Sequence, residues 1–286
     1  MHRGRFAPTP SGLLHFGSII AALGSYLSVK SKGGTWHLRI DDLDPPRVKK
    51  EAIEGIQSAL IELGLKWDGP VVFQSQRQEV YEELLQQLIS ENKVYPCNCT
   101  RKQLLRSNQR KTIDGGVLYP GTCRNKSHVP EPHSWRLAVE ESQVSWTEPN
   151  GETQIFSSQE DFGDFVIKRR DGVFSYHLAN ICDDRDMQIT EVVRGLDLQE
   201  SSARHIYMQQ SLGLSIPQYR HLPLAKSPDG QKLSKQYGAK PISTENPQGV
   251  LLKALQFLNI QIENQGTVEE ILQEATEAWK SLNDAK

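Results

Sequence analysis

The sequence has few cysteines, no long apolar run and no internal repeat. No stretch approaches about 18 consecutive apolar residues, so we expect no transmembrane helix and no membrane partner. The first residues, Met1 to Phe6, carry no apolar signal region. Four cysteines in 286 residues do not resemble a disulfide framework. We therefore expect a cytoplasmic protein whose reduced thiols are available for a metal ion.

The sequence also has no large excess of one charge, because it contains 33 basic and 35 acidic residues and its net charge is -2. The charges are nevertheless clustered. Basic residues gather from Lys93 to Lys111 and from Lys168 to Arg170, and acidic ones from Asp41 to Asp44 and from Asp183 to Asp186. Nucleic-acid binding depends on a local basic face, so the balanced total does not exclude an RNA partner. The simpler interpretation is that each cluster is a solvated loop.

The order of apolar patterns predicts an α/β fold. Apolar residues three and four apart predict helices over 17–30, 48–63, 80–92, 198–212, 249–258 and 268–282. Alternating patterns predict strands up to residue 7 and over 35–40, 189–194 and 219–225. Strands that alternate with helices are typical of a parallel sheet with helical crossovers. We predict a Rossmann-like parallel-sheet nucleotide-binding domain.

The alternation fails between residues 94 and 188, which are rich in Pro, Gly, Cys and turn pairs. Asp171-Gly172 lies between two alternating runs, as in a hairpin. We predict an inserted subdomain of mixed α+β, mostly antiparallel structure. The predicted division is 1–93 and 189–242 for the two halves of the nucleotide-binding domain, 94–188 for the insertion and 243–286 for a short helical C-terminus.

The first chemical motif is His15-Phe16-Gly17-Ser18, at the start of the first predicted helix. A helix N-terminus carries unpaired N–H groups and partial positive charge, so it suits phosphate. Gly17 lets a flat base approach the backbone, and His15 can donate to a phosphate oxygen. Alone the motif is weak, because a satisfied loop histidine and an N-cap serine would explain it.

The second motif is Lys232-Leu233-Ser234-Lys235, in a loop rich in Gly, Ser and Pro. Two lysines three residues apart can fold over a triphosphate and neutralise the charge that develops in a transition state. Alone this segment would be interpreted as a solvated basic loop. The two motifs are informative only together.

Five ordered segments between about residues 3 and 240 resemble the class I aminoacyl-tRNA synthetases, most closely their glutamyl and glutaminyl branch. The pattern R-F-A-P-[ST]-P-[ST]-G begins at Arg5 and leads to H-x-G-S, and K-x-S-K begins at Lys232. Residues 38–44 resemble L-R-I-E-D-[IT]-D, residues 176–179 resemble Y-x-[LF]-A, and residues 192–198 resemble V-x-R-G-x-[ED]-[LH]. The resemblance implies activation of L-glutamate by ATP, with Mg²⁺ on the phosphates.

The same resemblance assigns the site residues. The ATP site would consist of His15, Gly17, Ser18, Lys232, Ser234 and Lys235, with catalysis by His15, Lys232 and Lys235. The glutamate site would consist of Arg5, Phe6, Ala7, Pro8, Thr9, Asp41, Tyr176 and Arg194.

The assignment of the glutamate site agrees with its charges. Arg5 and Arg194 could bind the side-chain carboxylate, because guanidinium offers it a bidentate fork. Asp41 would face the ammonium, with Tyr176 beside it. Asp41 departs from the family, which usually has Glu there, and it could alternatively cap a helix or lie in a surface turn. Gln236, after the lysine motif, is a second departure that keeps a polar donor.

A further motif lies in the insertion, where Cys97-x-Cys99 and Cys123 supply three soft ligands for zinc. Chemistry alone would choose His128 or His133 as the fourth ligand. Resemblance points instead to Tyr119, because C-x-C…Y-x3-C matches a zinc site of the glutamyl-queuosine tRNA(Asp) synthetases. We expect one structural zinc, with three reduced cysteines and no metal as the simpler alternative. Cys182 lies off the pattern and is expected in the core.

Only about 50 residues follow Lys235, enough for two or three helices. A full glutamyl-tRNA synthetase continues there with domains that read the anticodon. The resemblance therefore implies a truncated enzyme that transfers glutamate to the queuosine base of tRNA(Asp). We expect a monomer whose basic residues 101–111 and 168–170 contact phosphates. The alternatives are a minimal glutamyl-tRNA synthetase that charges tRNA(Glu), a non-catalytic zinc-stabilised RNA-binding module, and a related nucleotidyltransferase that acts on a different acid.

Overall fold

A computed structural model of the chain describes residues 1–107, 110–225 and 241–284. In chain order the strands are β1 Arg3–Phe6, β2 Thr35–Ile40, β3 Val72–Phe73, β4 Val94–Cys97, β5 Ser134–Leu137, β6 Gln143–Thr147, β7 Thr153–Ser157, β8 Val166–Lys168, β9 Glu191–Gly195 and β10 Gln218–Leu222. The helices are α1 Phe16–Lys30, α2 Lys50–Glu62, α3 Gln78–Ser90, α4 Arg101–Ser107, α5 Tyr176–Asp186, α6 Gln199–Ser211, α7 Pro247–Phe257 and α8 Val268–Asp284.

The predicted parallel strands are confirmed. β1, β2 and β3 pair in parallel, and so do β9 and β10. The amide of Thr190 donates to the carbonyl of Arg3 at 2.9 Å, which places β9 beside β1. The three-stranded sheet β3-β2-β1 and the two-stranded sheet β9-β10 therefore lie side by side, with β1 next to β9. The direction of the crossovers reverses between β1 and β9. Open parallel sheets bind their ligands in the crevice at the carboxyl ends of the strands at such a point.

Helix α1 lies against the strands on both sides of this crevice. Its apolar positions Ile19, Ile20, Leu23 and Leu27 are fully or almost fully buried, as the sequence predicts. A methyl group on Gly4 of β1 would lie 2.4 Å from Val29, so glycine is required for this close approach. α2, α7 and α8 pack around the same core.

The strands between residues 94 and 168 pair as antiparallel neighbours, which confirms the predicted mode of pairing. β4, β5 and β8 form one sheet, and β6 and β7 form a hairpin. The predicted Asp171-Gly172 turn is present, because the amide of Arg169 donates to the carbonyl of Val173 at 2.8 Å. Gly172 has a φ of 88°, which glycine adopts without strain.

Helix α5 was not predicted, and its acidic residues are not a solvated loop. It begins after Ser175, whose side chain accepts from the amide of Leu178. Asp183 is 0% exposed and Asp184 is 4% exposed. Periodicity missed the helix because part of its buried face is charged. Cys182 of the same helix is fully buried in a core cluster, as expected.

The described part of the chain has no helix that is both long enough and apolar enough to cross a membrane.

Candidate functional site

A cavity of about 1150 Å³ lies at the carboxyl ends of β1 and β9 and at the start of α1. It brings together most of the residues that the sequence motifs predicted. Those that line it are Arg5, Phe6, Ala7, Pro8, Thr9, His15, Gly17, Ser18, Tyr176 and Arg194. Asp41 is not among the lining residues. Lys232, Ser234, Lys235 and Gln236 fall outside the described residues.

His15 is the N-cap of α1. Its Nδ1 accepts a hydrogen bond from the amide of Ser18 at 3.3 Å, so the N-cap is the histidine itself and not a serine. Since Nδ1 is the acceptor, the proton of a neutral imidazole lies on Nε2. The arrangement leaves the first turn of α1, with Gly17 and Ser18, at the cavity wall. The cavity thus has the partial positive charge of a helix N-terminus at one end.

Arg194 and Tyr176 also line the cavity. Arg194 stands at the end of β9, and its Nη1 donates to the hydroxyl of Tyr176 at 3.1 Å. Its Nη2 donates to Ser202 Oγ at 2.5 Å. The Nε of Arg194 is buried without a hydrogen-bond partner in the described protein. A buried guanidinium N–H of this kind requires an acceptor, which an anionic ligand or water would supply.

Arg5 reaches the cavity from β1 and is held from behind by Asp184. Its Nε donates to Asp184 Oδ1 at 3.0 Å, and its Nη2 donates to Asn180 at 3.4 Å. Burial would raise the pKa of Asp184, but Arg5 and Arg39 together hold it below its ordinary value. Asp184 is therefore ionised at neutral pH, and it fixes the direction of the Arg5 side chain.

Asp41 is buried behind the cavity and is neither a cap nor a surface residue. Arg39, which is fully buried, donates to it from Nε at 2.7 Å. Asn180, which does line the cavity, donates to Asp41 Oδ2 at 3.4 Å. Burial raises the pKa of Asp41 to about 6, although the Arg39 guanidinium opposes this shift. The neighbouring Asp42 has a structural role, because it accepts from the amide and the hydroxyl of Ser75.

Sequence patterns missed three residues of this site, Arg39, Asn180 and Asp184. Arg39 donates to Asp184 at 2.7 Å, and Asp184 also pairs with Arg5, so the three residues join β1, β2 and α5. Burial would lower the pKa of Arg39, but its carboxylate neighbours raise it well above its ordinary value. The sequence contained one sign of this cluster. The acids Asp183 and Asp184 follow the Y-x-[LF]-A segment, and Ser175 before that segment can cap a helix.

The three cysteines of the insertion converge. The sulfur atoms of Cys97, Cys99 and Cys123 all lie within 4.8 Å of one another, and Cys99 and Cys123 are 3.6 Å apart. The hydroxyl oxygen of Tyr119 lies 3.3 Å from Cys97 Sγ and 3.6 Å from Cys99 Sγ. In a tetrahedral zinc site the sulfurs would be about 3.8 Å apart, and a ligand oxygen would lie about 3.5 Å from each sulfur. These three distances are compatible with tetrahedral coordination of one small cation by the four atoms.

The histidines that chemistry alone would choose belong elsewhere. Neither His128 nor His133 is part of the cysteine cluster in the described chain. His133 stacks edge-on against Trp135 and lies 3.2 Å from Glu131. The Tyr119 hydroxyl lies beside the cysteine sulfurs, where a fourth ligand would be needed. Its oxygen accepts from the amide of Cys123 at 2.8 Å. The guanidinium of Arg136 lies 4.0 Å from the centre of the Tyr119 ring.

The two basic clusters differ in their environment. Lys168 pairs with Glu82 at 2.7 Å, and Arg169 pairs with Asp44 and Asp171. Arg101 and Lys102, on helix α4, are exposed. Since the acids already neutralise much of the 168–170 cluster, α4 is the stronger candidate for contact with phosphate.

Proteins of known family are similar to most of this chain. Residues 2–260 match the model of the family described as tRNA synthetases class I (E and Q), catalytic domain. A glutamyl-Q tRNA(Asp) synthetase from Synechococcus sp. is 47% identical over 90% of this chain and 87% of its own length. Another from Pseudomonas putida is 43% identical over 97% of this chain and 91% of its own length. The chain therefore belongs to the class I tRNA synthetases of the E and Q type and, within them, to the glutamyl-Q tRNA(Asp) synthetase family.

Solved structures show the same fold. The chain superimposes with a TM-score of 0.76 on a glutamate tRNA ligase from Elizabethkingia meningosepticum in complex with its amino acid. With a glutamate-tRNA synthetase from Elizabethkingia anophelis the TM-score is 0.78. Both are 25% identical, and the similarity covers 96% of this chain but only 65% and 66% of theirs.

Proposed function

We propose that the protein activates L-glutamate with ATP to glutamyl-adenylate and transfers the glutamate to the queuosine base of tRNA(Asp). The observation that carries this proposal is the single cavity that joins the N-terminus of α1 to two buried guanidinium groups, Arg5 and Arg194. The helix N-terminus suits a polyphosphate, and the guanidinium groups suit a carboxylate. The acceptor is inferred from the relatives named glutamyl-Q tRNA(Asp) synthetase.

In the first step, a carboxylate oxygen of glutamate attacks the α-phosphorus of ATP, and the bond to pyrophosphate breaks. The α-carboxylate is already ionised near pH 7, so no general base is needed. Catalysis then consists of positioning and charge stabilisation. His15 would donate from Nε2 to a phosphate oxygen, while Lys232 and Lys235 would neutralise the leaving pyrophosphate. Mg²⁺ would enter with ATP and shield the phosphate charges.

Glutamate would lie between β1 and β9. Arg194 would bind the side-chain carboxylate together with Arg5, and Tyr176 would hold Arg194 in place. The ammonium would be drawn by the carboxylate of Asp41, to which the cavity-lining Asn180 donates a hydrogen bond. In the second step, a hydroxyl of the queuosine base would attack the acyl carbon, form an ester and release AMP.

The insertion would hold one structural zinc ion. Cys97, Cys99 and Cys123 would supply thiolates, and Tyr119 would supply the fourth ligand as a phenolate. A bound zinc ion lowers the pKa of its ligands, so the phenol can lose its proton there. The ion would hold together the segment that carries α4, whose basic residues would approach the tRNA backbone.

Residues 94–188 would be the acceptor-binding insertion between the two halves of the catalytic domain, 1–93 and 189–242, with 243–286 as a helical C-terminal segment. The enzyme would act as a monomer in the cytoplasm, where thiols stay reduced and tRNA is present.

Glutamate-dependent ATP–pyrophosphate exchange tests the activation step, with tRNA(Asp) present and absent. We expect the wild-type protein to exchange with glutamate in preference to the other amino acids. Lys235→Ala should abolish the exchange while the fold stays intact, and Lys280→Ala on α8 is the matched control. Unchanged exchange in Lys235→Ala would remove the Lys232–Lys235 motif from the mechanism. Absence of exchange in the wild type would favour a non-catalytic RNA-binding module.

A further inference from the structure

A chain of buried hydrogen bonds leads away from Arg194 to the β6–β7 hairpin. Arg194 Nη2 donates to Ser202 Oγ at 2.5 Å, and Ser202 Oγ lies 2.6 Å from His221 Nε2. His221 Nδ1 lies 2.5 Å from Glu148 Oε1. The side chains involved are almost inaccessible, with Ser202 at 0% and Glu148 at 7% exposure.

The fold builds this chain from three elements. Parallel pairing places His221 of β10 directly opposite Arg194 of β9. Ser202 projects from the first turns of α6, and Glu148 follows β6. Glu148 is itself held in place, because it accepts from the amide of His221 at 3.0 Å and from Trp146 Nε1 at 2.9 Å.

The directions of the hydrogen bonds are determined by the groups at the two ends. The Glu148 carboxylate can only accept, so His221 Nδ1 carries a proton and donates to it. Burial keeps the pKa of His221 below its ordinary value, so its Nε2 is the acceptor of the Ser202 hydroxyl proton. Ser202 Oγ can then accept from Arg194. Each member orients the next, and the last one orients the guanidinium.

A serine, a histidine and a glutamate in this order resemble a hydrolytic triad, but the environment excludes that role. Ser202 is 0% exposed, and its oxygen accepts a hydrogen bond from a cation. A nucleophile needs access to a substrate carbonyl and a free lone pair. The cavity is lined by Arg194 and not by Ser202 or His221.

We propose that Glu148, His221 and Ser202 are positioning residues that fix Arg194 in the amino-acid pocket and thereby set selectivity for a substrate carboxylate. This inference rests on the proposed function. Arginine has several rotatable bonds, and its guanidinium binds a carboxylate well only in a fixed orientation. Tyr176 constrains one terminal nitrogen and the Ser202–His221–Glu148 relay constrains the other.

Amino-acid-dependent pyrophosphate exchange tests the relay. We expect Ser202→Ala to raise the KM for glutamate roughly tenfold or more, with an unchanged KM for ATP. The preference for glutamate over glutamine should fall in the same variant. Ser202→Thr keeps the hydroxyl and should restore both values. Ser211→Ala, which removes a hydroxyl from the same helix, is the matched control.

A second variant changes the end of the hydrogen-bond chain that is farthest from Arg194. Glu148→Gln should shift the KM for glutamate in the same direction, and Glu152→Gln in the exposed part of the same hairpin should not. Glu148→Gln also provides the test if Ser202→Ala does not fold. Wild-type KM and wild-type selectivity in the folded relay variants would overturn the relay alone. A wild-type protein that activates no amino acid would instead overturn the proposed function and the relay together.

Discussion

Arg5 and Asp184 are joined by two hydrogen bonds, from Nε at 3.0 Å and from Nη2 at 3.3 Å. Arg5 is 4% exposed and so is Asp184, so the pair is buried at the base of the cavity. The same carboxylate accepts from Arg39 at 2.7 Å. A cation of the proposed amino-acid site is thus fixed by an acid on a helix that the apolar pattern of the sequence did not predict.

Breaking this pair should destabilise the fold. Asp184→Asn would leave two buried guanidinium groups without their shared carboxylate, and such changes cost about 3–5 kcal/mol. We expect a loss of this order in the free energy of unfolding, measured by urea denaturation. Asp171→Asn, in an exposed ion pair with Arg169, is the matched control and should change stability by less than about 1 kcal/mol. Equal stability of the two variants would contradict the structural role of Asp184.

Binding of glutamate should weaken as the pH falls through about 6. The pKa of Asp41 is raised to about 6 by burial, so above that pH the carboxylate is charged and would attract the ammonium of glutamate. Below it the acid is neutral, and affinity should fall by up to about tenfold per pH unit. The side-chain carboxyl of glutamate titrates near 4.3, which leaves this range to the protein. Calorimetry without ATP measures the effect on glutamate alone.

Two variants of Asp41 separate its charge from its length. Asp41→Asn should bind weakly, with a flat pH dependence. Asp41→Glu restores the side chain that is usual in the resembling family and should reach farther toward the cavity, so it should bind at least as well as the wild type. A wild-type affinity that is constant between pH 5 and 8 would remove Asp41 from the ammonium site.

The contribution of Asp41 to stability depends on pH in the opposite direction to its predicted effect on glutamate binding. Because its pKa in the folded state is above the unfolded value of about 3.9, the folded protein binds the extra proton between about pH 4 and 6. This contribution is therefore fully present at low pH and is lost as the pH rises through about 6. Asp184, whose pKa is lowered, contributes in the opposite direction, and its stabilisation is lost as the pH falls.

Removal of the Tyr119 hydroxyl should weaken metal binding. We expect about one zinc per chain in the wild type, and a loss of roughly tenfold or more in affinity in Tyr119→Phe, because one ligand is missing. Competition with a chromogenic chelator measures the affinity, and elemental analysis measures the content. His133→Ala and Cys182→Ala are the matched controls and should retain zinc. Retention by Tyr119→Phe together with loss in His133→Ala would restore histidine as the fourth ligand.

The sequence predicted those parts of the fold that depend on local apolar spacing. Helix α1 and strand β2 lie where their patterns place them, because both bury one continuous set of apolar residues. Strand β10 was predicted to reach residue 225 but ends at Leu222, before Pro223, which cannot donate to a neighbouring strand. The convergence of the three cysteines was also predictable, since they lie within about 27 residues of one another.

The parts that local patterns could not predict depend on pairs that are distant in sequence. Arg5 and Asp184 are 179 positions apart, and Glu148 and His221 are 73 positions apart. Each of these side chains is polar, so the hydrophobic pattern assigns it to the surface. Only the fold brings the opposite charges together, and the pairing then makes their burial possible.

Transfer of glutamate to tRNA most directly tests the central claim. The protein, ATP and labelled glutamate would be incubated with tRNA(Asp) that contains queuosine, tRNA(Asp) that lacks it, and tRNA(Glu). We predict label only on the queuosine-containing tRNA(Asp). Periodate oxidises free cis-diols, so an ester on queuosine should protect that base while the 3′-terminal ribose is oxidised. Label on tRNA(Glu), or on tRNA(Asp) without queuosine, would contradict the account.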